Sequence, residues 1–244
     1  MQNKPQITKL QQLQTVIDVL HAQGLRCWID TGTLLGLVRH KQILPWDRDI
    51  DISCFAHNRD SATKAMQQLA TEYGYKMQTR SYRGQIFKIE LMPKNRSDYV
   101  KIDLSFWWVS GDWAYSLMVC NMPLRLRRNS LLWWLAQTVR QPMIHLVWPP
   151  LKRSRSLHLP LLGVNIGIYL WRVPCSALAK LSSIEINSFA YPAPADWESY
   201  LTFRYGNWRV PKRDWLAPID DGASLLVPPE DQLFAQFAEE NRHD

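Results

Sequence analysis

Three aspartates at strand-like positions could bind a divalent metal ion. Asp49 and Asp51 are two residues apart in an alternating stretch, and Asp103 lies in a second apolar run, Lys101–Ser105. Side chains at i and i+2 of a strand share a face, so Asp49 and Asp51 project together, with Cα atoms about 6–7 Å apart. Carboxylates this close repel each other unless a cation or a proton lies between them. Because oxygen ligands suit Mg²⁺ or Mn²⁺, the pattern predicts a site for one of these ions at Asp49, Asp51 and Asp103.

Each aspartate taken alone has a simpler interpretation. An isolated D-x-D pair is commonly a solvated strand edge, and Asp103 could equally pair with a basic side chain. However, apolar residues such as Ile50 and Ile52 flank the acids, and unpaired charge in such surroundings is costly, which favours the metal site. Asp47 could be a metal ligand, a residue that hydrogen-bonds to a metal ligand, or the ion-pair partner of Arg48.

A turn between a strand and a helix lies upstream of the D-x-D pair. Leu25–Ile29 is a predicted strand, and a turn follows it before a short helix that begins at Leu34. Backbone N–H groups at such a turn bind phosphate oxygens, so Gly32, Thr33 and Arg39 are candidate phosphate-binding residues. Gly32 by itself is more simply explained as a turn glycine. Together, a Gly-Thr turn, a D-x-D strand and a third strand aspartate are the layout of nucleotidyltransferase-type phosphoryl transfer.

Helices and strands are mixed along the chain. Hydrophobic periodicity and terminal signals predict helices over residues 6–23, 60–73 and 196–205 and one beginning near Pro229, and strands over residues 85–91 and 99–109. We therefore expect an α/β (α+β) fold, a mixed sheet flanked by helices, in one domain over residues 1–244.

The positive charge of the chain is concentrated in one segment. The net charge is +7, and nine of the 29 Lys and Arg residues lie between Asp112 and Glu185, where there is no acid. We predict that residues 111–183 are a basic apolar insertion, with short helices and loops over residues 123–174. Its cations alternate with Trp and Leu blocks such as Leu131–Leu135, a composition typical of segments at an anionic membrane surface rather than of nucleic-acid binding. Packing of the same apolar residues in the core is an equal alternative.

Several other classes are unsupported. The four cysteines are scattered without a C-x-x-C pair, and zincin, P-loop and G-x-S-x-G motifs are absent from the sequence. Arg140 and Pro142 interrupt the apolar run that would otherwise favour a transmembrane helix, and Met1–Ile17 has no apolar signal core. We expect reduced thiols and a cytoplasmic protein, either free or peripheral on the cytoplasmic face of the membrane.

A long motif surrounds the first two aspartates. Residues 27–40 read C-W-I-D-T-G-T-L-L-G-L-V-R-H, and residues 43–52 read I-L-P-W-D-R-D-I-D-I. Asp103 follows between two apolar residues, and residues 200–208 read Y-L-T-F-R-Y-G-N-W, similar to the pattern Y-L-x-x-x-Y-G-x-x-W. These segments resemble the LicD/fukutin-related family, and the resemblance covers residues 20 to 110 and 185 to 215.

The resemblance implies a nucleotidyltransferase-like fold and a phosphotransferase. Members move a phospho-alcohol, such as phosphocholine or ribitol phosphate, from a CDP-linked donor to a hydroxyl of a cell-surface glycan. The partners that the resemblance implies are a CDP-alcohol and a glycan or lipid-linked glycan. The composition of the basic segment adds an anionic membrane surface, and no nucleic acid, to the expected partners. The implied residue roles are metal binding by Asp49 and Asp51, metal binding or base catalysis by Asp103, and donor phosphate binding by Gly32, Thr33 and Arg39.

Two alternatives remain at this point. One is a nucleotidyltransferase acting on a small phospho-alcohol, and the other is a catalytically silent, membrane-associated protein of glycan assembly. Trp46 could stack on a base or sugar, although a buried position beside Pro45 is the more usual expectation. Tyr205 could shape the donor pocket or pack the C-terminal helix.

Overall fold

The chain forms a mixed α/β structure. This computed structural model describes residues 8–94, 99–121, 157–159, 164–212, 215–225 and 231–239, with single residues at 131, 135 and 138. The helices are α1 (Lys9–Ala22), α2 (Thr31–His40), α3 (Arg59–Glu72), α4 (Ser176–Ala179), α5 (Trp197–Tyr205), α6 (Ala217–Asp220) and α7 (Asp231–Glu239), with a 3₁₀ turn at Ala56–Asn58. The strands are β1 (Cys27–Ile29), β2 (Asp49–Phe55), β3 (Tyr75–Tyr82), β4 (Gln85–Pro93), β5 (Lys101–Ser110), β6 (Trp113–Asn121), β7 (Leu157–Leu159), β8 (Val164–Pro174), β9 (Leu181–Ile186), β10 (Phe189–Pro194) and β11 (Ser224–Leu225).

Strand β5 lies at the centre of a mixed sheet. It pairs in parallel with β2 and antiparallel with β4 and then with β6. The sheet order is β1-β2-β5-β6-β8-β11, with β3 attached through β4 and β7 attached to β8, while β9 and β10 form a separate hairpin. This arrangement confirms the expected mixed sheet flanked by helices.

Local signals explain where the helices begin and end. Thr8 and Gln11 form a reciprocal capping box at the start of α1, and Gly24 follows the helix with a positive φ of 70°. The four predicted helices are confirmed, with their ends shifted by a few residues. Helices α1 and α3 contact each other, and α3 packs on β3 and β4.

The predicted insertion supplies part of the sheet. Residues 164–174 are strand β8, which pairs with β6 along nearly its whole length. The prediction of short helices and loops over residues 123–174 was therefore wrong at β7 and β8. Strand β8 is hard to recognise in the sequence because residues 166–171 are an apolar run without polar alternation. Most of residues 122–156, where the Trp- and Leu-rich blocks lie, is outside the described residues.

The core is built largely from aromatic side chains. Trp28, Trp107 and Trp108 are essentially fully buried, on β1 and β5. Cys27 and Cys54 face each other across β1 and β2 as free, buried thiols, and burial raises the pKa of Cys27 to about 12, which makes it a poor nucleophile. Among the described helices, we find none with the length and apolar character needed to cross a membrane.

Candidate active site

The parallel pairing of β2 and β5 brings the three predicted aspartates together. Asp51 lies directly opposite Asp103 in the register, and Asp49 is two residues earlier on the same face of β2. One carboxylate oxygen from each of these residues lies within 4.8 Å of the others. The three acids therefore form a compact cluster, named here the carboxylate cluster.

Burial makes negative charge in this cluster costly. Burial, followed by the charges of Asp49 and Asp103, raises the pKa of Asp51 to about 7 against the opposing effects of Lys88 and Thr31. Burial, followed by the charge of Asp103, also raises the pKa of Asp49. A cation placed among the three carboxylates would relieve this repulsion.

The strand before the cluster ends in a strained turn that holds Asp51. Asp30 caps α2 by accepting the Thr31 N–H at 2.7 Å, so the helix begins at Thr31 and not at Leu34 as predicted. Thr31 has a φ of 44°, an uncommon conformation for a β-branched residue. Its hydroxyl donates a short hydrogen bond to Asp51 Oδ2, and the Thr33 hydroxyl accepts the Asp51 N–H at 2.8 Å. Both threonines therefore position Asp51.

Two lysines, missed by the sequence analysis, neutralise part of the cluster. Lys88 Nζ lies 2.5 Å and Lys101 Nζ 2.8 Å from the same oxygen, Asp103 Oδ2. Lys101 also lies 3.0 Å from Glu90 Oε1, and Arg80 pairs with the other oxygen of Glu90 at 2.6 Å. Burial acts to raise the pKa of Glu90, but Lys101 and Arg80 outweigh it and hold that pKa below its usual value. The signal available in the sequence was the i, i+2 spacing of Lys88 with Glu90 and of Lys101 with Asp103.

The donor set fits a hard divalent cation. Asp103 Oδ2 accepts both lysines, whereas the buried Asp103 Oδ1 has no hydrogen-bond partner in the described part of the chain. An unsatisfied buried carboxylate oxygen beside two further carboxylates is the arrangement expected at a site for Mg²⁺ or Mn²⁺. The residues able to hold such an ion are Asp49, Asp51 and Asp103.

The cluster opens into a cleft of about 1530 Å³. Gly32, Arg39, Asp47 and Lys88 line this cleft, whereas the Thr33 side chain is fully buried. Trp46 also lines it and is 64% exposed, so the expected burial beside Pro45 is wrong. The cleft is therefore lined by carboxylates at the cluster and by the exposed aromatic side chain of Trp46 elsewhere.

Comparison with known proteins agrees with the geometry. Residues 24–121 match the family model described as "LicD/FKTN/FKRP, nucleotidyltransferase domain". Residues 24–121 are named here the LicD domain, after the family model that they match. Human ribitol 5-phosphate transferase FKRP is 30% identical over 95 residues, which are 36% of this chain and 18% of the human protein. Its counterpart from Mus musculus is 48% identical over 40 residues, 16% of this chain and 8% of the mouse protein. The matched region thus spans less than a fifth of the length of these transferases.

A solved structure also aligns with the chain. The lincosamide antibiotic adenylyltransferase LnuA, in a lincomycin-bound crystal structure, aligns over 97% of this chain and 98% of its own chain, with a TM-score of 0.42 and 14% sequence identity. A similarity of this degree carries no inference about the present chain.

Two motif glycines of the LicD domain have a steric role. A Cβ at Gly36 would lie 2.8 Å from the backbone oxygen of Gln42 and 3.0 Å from the nitrogen of Leu44, so glycine lets this backbone cross closely over α2. A Cβ at Gly32 would lie 2.7 Å from Asp47 Oδ2. Asp47 therefore packs against the start of α2, outside the carboxylate cluster.

A buried ionic network connects the LicD domain to the C-terminal part of the chain. Arg204 on α5 is fully buried and pairs with Asp30 at 3.0 Å and with Asp221 at 2.5 Å. Tyr200 donates to Asp30 at 2.7 Å, and the Arg204 guanidinium stacks 4.1 Å from the ring centroid of Trp171. Tyr200 and Arg204, which belong to the motif at residues 200–208, therefore hold Asp30 at the start of α2. Tyr205, the next residue, lines the cleft.

Proposed function

We propose that the protein is a metal-dependent phosphotransferase that moves a phospho-alcohol from a CDP-linked donor to a hydroxyl of a cell-surface glycan. The observation that carries the proposal is the carboxylate cluster at the base of a large cleft, within a LicD domain. The glycan would be of the lipopolysaccharide, capsule or teichoic-acid type, free or lipid-linked. The name of the human and mouse relatives, ribitol 5-phosphate transferase, supports a phospho-alcohol as the transferred group.

In this proposal Asp49, Asp51 and Asp103 hold Mg²⁺ or Mn²⁺. When bound, the ion supplies charge neutralisation for the donor phosphates. The Thr31 hydroxyl donates a hydrogen bond to the Asp51 carboxylate, and the Thr33 hydroxyl accepts one from the Asp51 N–H. These two hydrogen bonds keep the carboxylate oriented, which reduces the reorganisation needed during the reaction. Because Lys88 and Lys101 both contact Asp103 Oδ2, and the buried Oδ1 lies unpartnered beside two further carboxylates, we assign Asp103 to metal binding rather than to base catalysis.

The cleft has distinct regions for the two substrates. The donor phosphates belong near the cluster, where Gly32 and Arg39 line the cleft. Trp46 and Trp215 line it as well and offer aromatic faces to a base or a sugar ring. Transfer breaks the phosphoanhydride bond of the donor, forms a phosphodiester with the acceptor hydroxyl and releases CMP.

The decisive experiment measures Mg²⁺-dependent CMP release. A thermal-shift screen of CDP-choline, CDP-ribitol, CDP-glycerol and CDP-ethanolamine first selects the donor, because a ligand of the folded state raises its Tm. We expect Asp49→Asn and Asp51→Asn each to reduce CMP release to background with the fold intact, since each removes a metal ligand. Asp18→Asn, an exposed change on α1, is the matched control and should retain activity.

Three outcomes separate the alternatives. Retained turnover in Asp51→Asn would rule out the site assignment. Pyrophosphate release from CTP and a phospho-alcohol, without CMP release from any CDP-alcohol, would indicate a nucleotidyltransferase instead. Absence of all Mg²⁺-dependent nucleotide binding would indicate a silent assembly protein. We further propose a cytoplasmic location, peripheral to the membrane, where nucleotide donors and lipid-linked acceptors meet.

A further inference from the structure

Two lysines share one oxygen of Asp103 but differ in their surroundings. Lys101 is held between Asp103 and Glu90 and lies 3.9 Å from Asp49 Oδ2. Lys88 contacts Asp103 from the neighbouring strand, and Lys88, unlike Lys101, lines the cleft. The Lys88 side chain is 15% exposed and the Lys101 side chain 24%, so the two lysines differ in what they face and not in how exposed they are. Lys101 faces three carboxylates, whereas Lys88 faces the cleft, where a ligand could reach it.

The other described cations of the cleft are engaged elsewhere. Arg204 is fully buried in its pairs with Asp30 and Asp221. Lys212 pairs with Asp220 at 3.0 Å, and Arg39 donates to the carbonyl oxygen of Trp208 at 2.9 Å. Among the cleft-lining cations that the structure describes, only Lys88 forms an ion pair with a member of the carboxylate cluster.

The charge of the cluster changes sign when a divalent ion is added. Three carboxylates and the two lysines leave one net negative charge, while Glu90 and Arg80 compensate each other. A divalent cation would convert this to one net positive charge, which suits an anionic phosphate. Removal of either lysine would leave the loaded cluster neutral, so it is its position on the cleft, and not its charge, that distinguishes Lys88. The ammonium of Lys88 thus supplies the positive charge on the side that faces the cleft.

We propose that Lys88 binds a phosphate group of the nucleotide donor, next to the carboxylate cluster. This assignment rests on the proposed phosphotransferase function for the identity of the donor, but phosphate binding itself can be measured without turnover. An ammonium group that donates to phosphate oxygens contributes a charge-assisted hydrogen bond, and its loss typically lowers affinity by about 10- to 100-fold.

The test uses inorganic pyrophosphate with Mg²⁺, and Mn²⁺ alone, as probes of the purified full chain. We expect Lys88→Met to weaken pyrophosphate binding by about 10-fold or more while Mn²⁺ binding stays within about threefold of wild type or becomes tighter. Lys101→Met, which removes the other ammonium from the same oxygen, should weaken pyrophosphate binding by less than about threefold. Unchanged pyrophosphate binding in Lys88→Met, equal losses in both variants, or loss of Mn²⁺ binding in Lys88→Met would each overturn the proposal.

A measurement on the unaltered protein covers the case in which Lys88→Met does not fold. We expect Mg²⁺-pyrophosphate to slow the chemical acetylation of Lys88, measured by mass spectrometry, and to leave the exposed Lys94 unchanged. Absence of protection at Lys88 would overturn the proposal, as would failure of the wild type to bind pyrophosphate. If pyrophosphate binds through Lys88 and no CDP-alcohol is turned over, the phosphate site stands and the phosphotransferase function falls.

Discussion

At the scale of the residue, the charge of Asp51 is costly in the metal-free protein. Burial and the two neighbouring acids raise its pKa in the folded state from the ordinary 3.8 to about 7. The folded protein therefore holds this proton more tightly than the unfolded chain does. The stabilisation from this proton is complete below pH 3.8 and is lost as the pH rises through about 7.

Asp51→Asn tests this cost directly. Because asparagine carries no charge, we expect the variant in EDTA to exceed the wild type in Tm by several degrees at pH 8, and by much less at pH 5. Added Mg²⁺ should raise the Tm of the wild type more than that of the variant. Glu185→Gln, an exposed change on β9, should show no such dependence on pH. A Tm difference that is the same at both pH values would contradict the prediction.

At the scale of the element, helix α5 and the segment that follows it are tightly attached to the LicD domain. Arg204 connects α5 to Asp30 at the end of β1 and to Asp221 before β11. A Cβ at Gly222 would lie only 2.0 Å from the backbone oxygen of Phe203, so the two segments approach as closely as glycine permits. The C-terminal motif thus supports the turn that orients Thr31 and Asp51.

Arg204→Met should destabilise the protein strongly. The change leaves Asp30 and Asp221 buried without their cation, and breaking a buried ion pair in this way costs about 3–5 kcal/mol. Arg209→Met removes a surface pair with Glu198, which should change stability by less than about 1 kcal/mol. Urea unfolding measures both free energies. Equal effects of the two changes would show that the buried network contributes no more than an exposed pair.

At the scale of the whole molecule, the excess of positive charge and the carboxylate cluster lie in different parts of the chain. The residues outside the 113–184 interval carry 20 cations against 22 acids, and the acidic cluster belongs to that part. Strands β6 and β8 anchor the two ends of the basic segment in the central sheet. The segment between them therefore starts and ends on the same sheet as the cluster.

Membrane attachment through this segment predicts selective binding to anionic vesicles. We expect the protein to float with vesicles that contain phosphatidylglycerol and not with purely zwitterionic ones, because each basic residue near an anionic surface contributes attraction. Replacing Arg125, Arg127 and Arg128 by Gln should reduce flotation. The control replaces three exposed lysines outside the basic segment by Gln and should leave flotation unchanged; these are Lys64, Lys76 and Lys94. Absence of binding to either vesicle would favour core packing of the apolar blocks.

The sequence by itself determined the local features of this protein. The boundaries of α1 and α5 follow from periodicity, capping residues and terminal glycines, and those of α3 from periodicity and Gly74, all of which act within a few residues of each other. The D-x-D spacing likewise placed Asp49 and Asp51 on one strand face, because alternation is a property of any strand.

Only the tertiary structure decided the contacts between distant segments. The parallel register of β2 and β5 places Asp103 beside Asp51, and antiparallel pairing brings Lys88 to the same carboxylate. Strand β8 and the pairing of Arg204 with Asp30 were equally invisible in local patterns. Strand register and buried ion pairs depend on which segments share a core, and that choice is made by the packing of the whole chain.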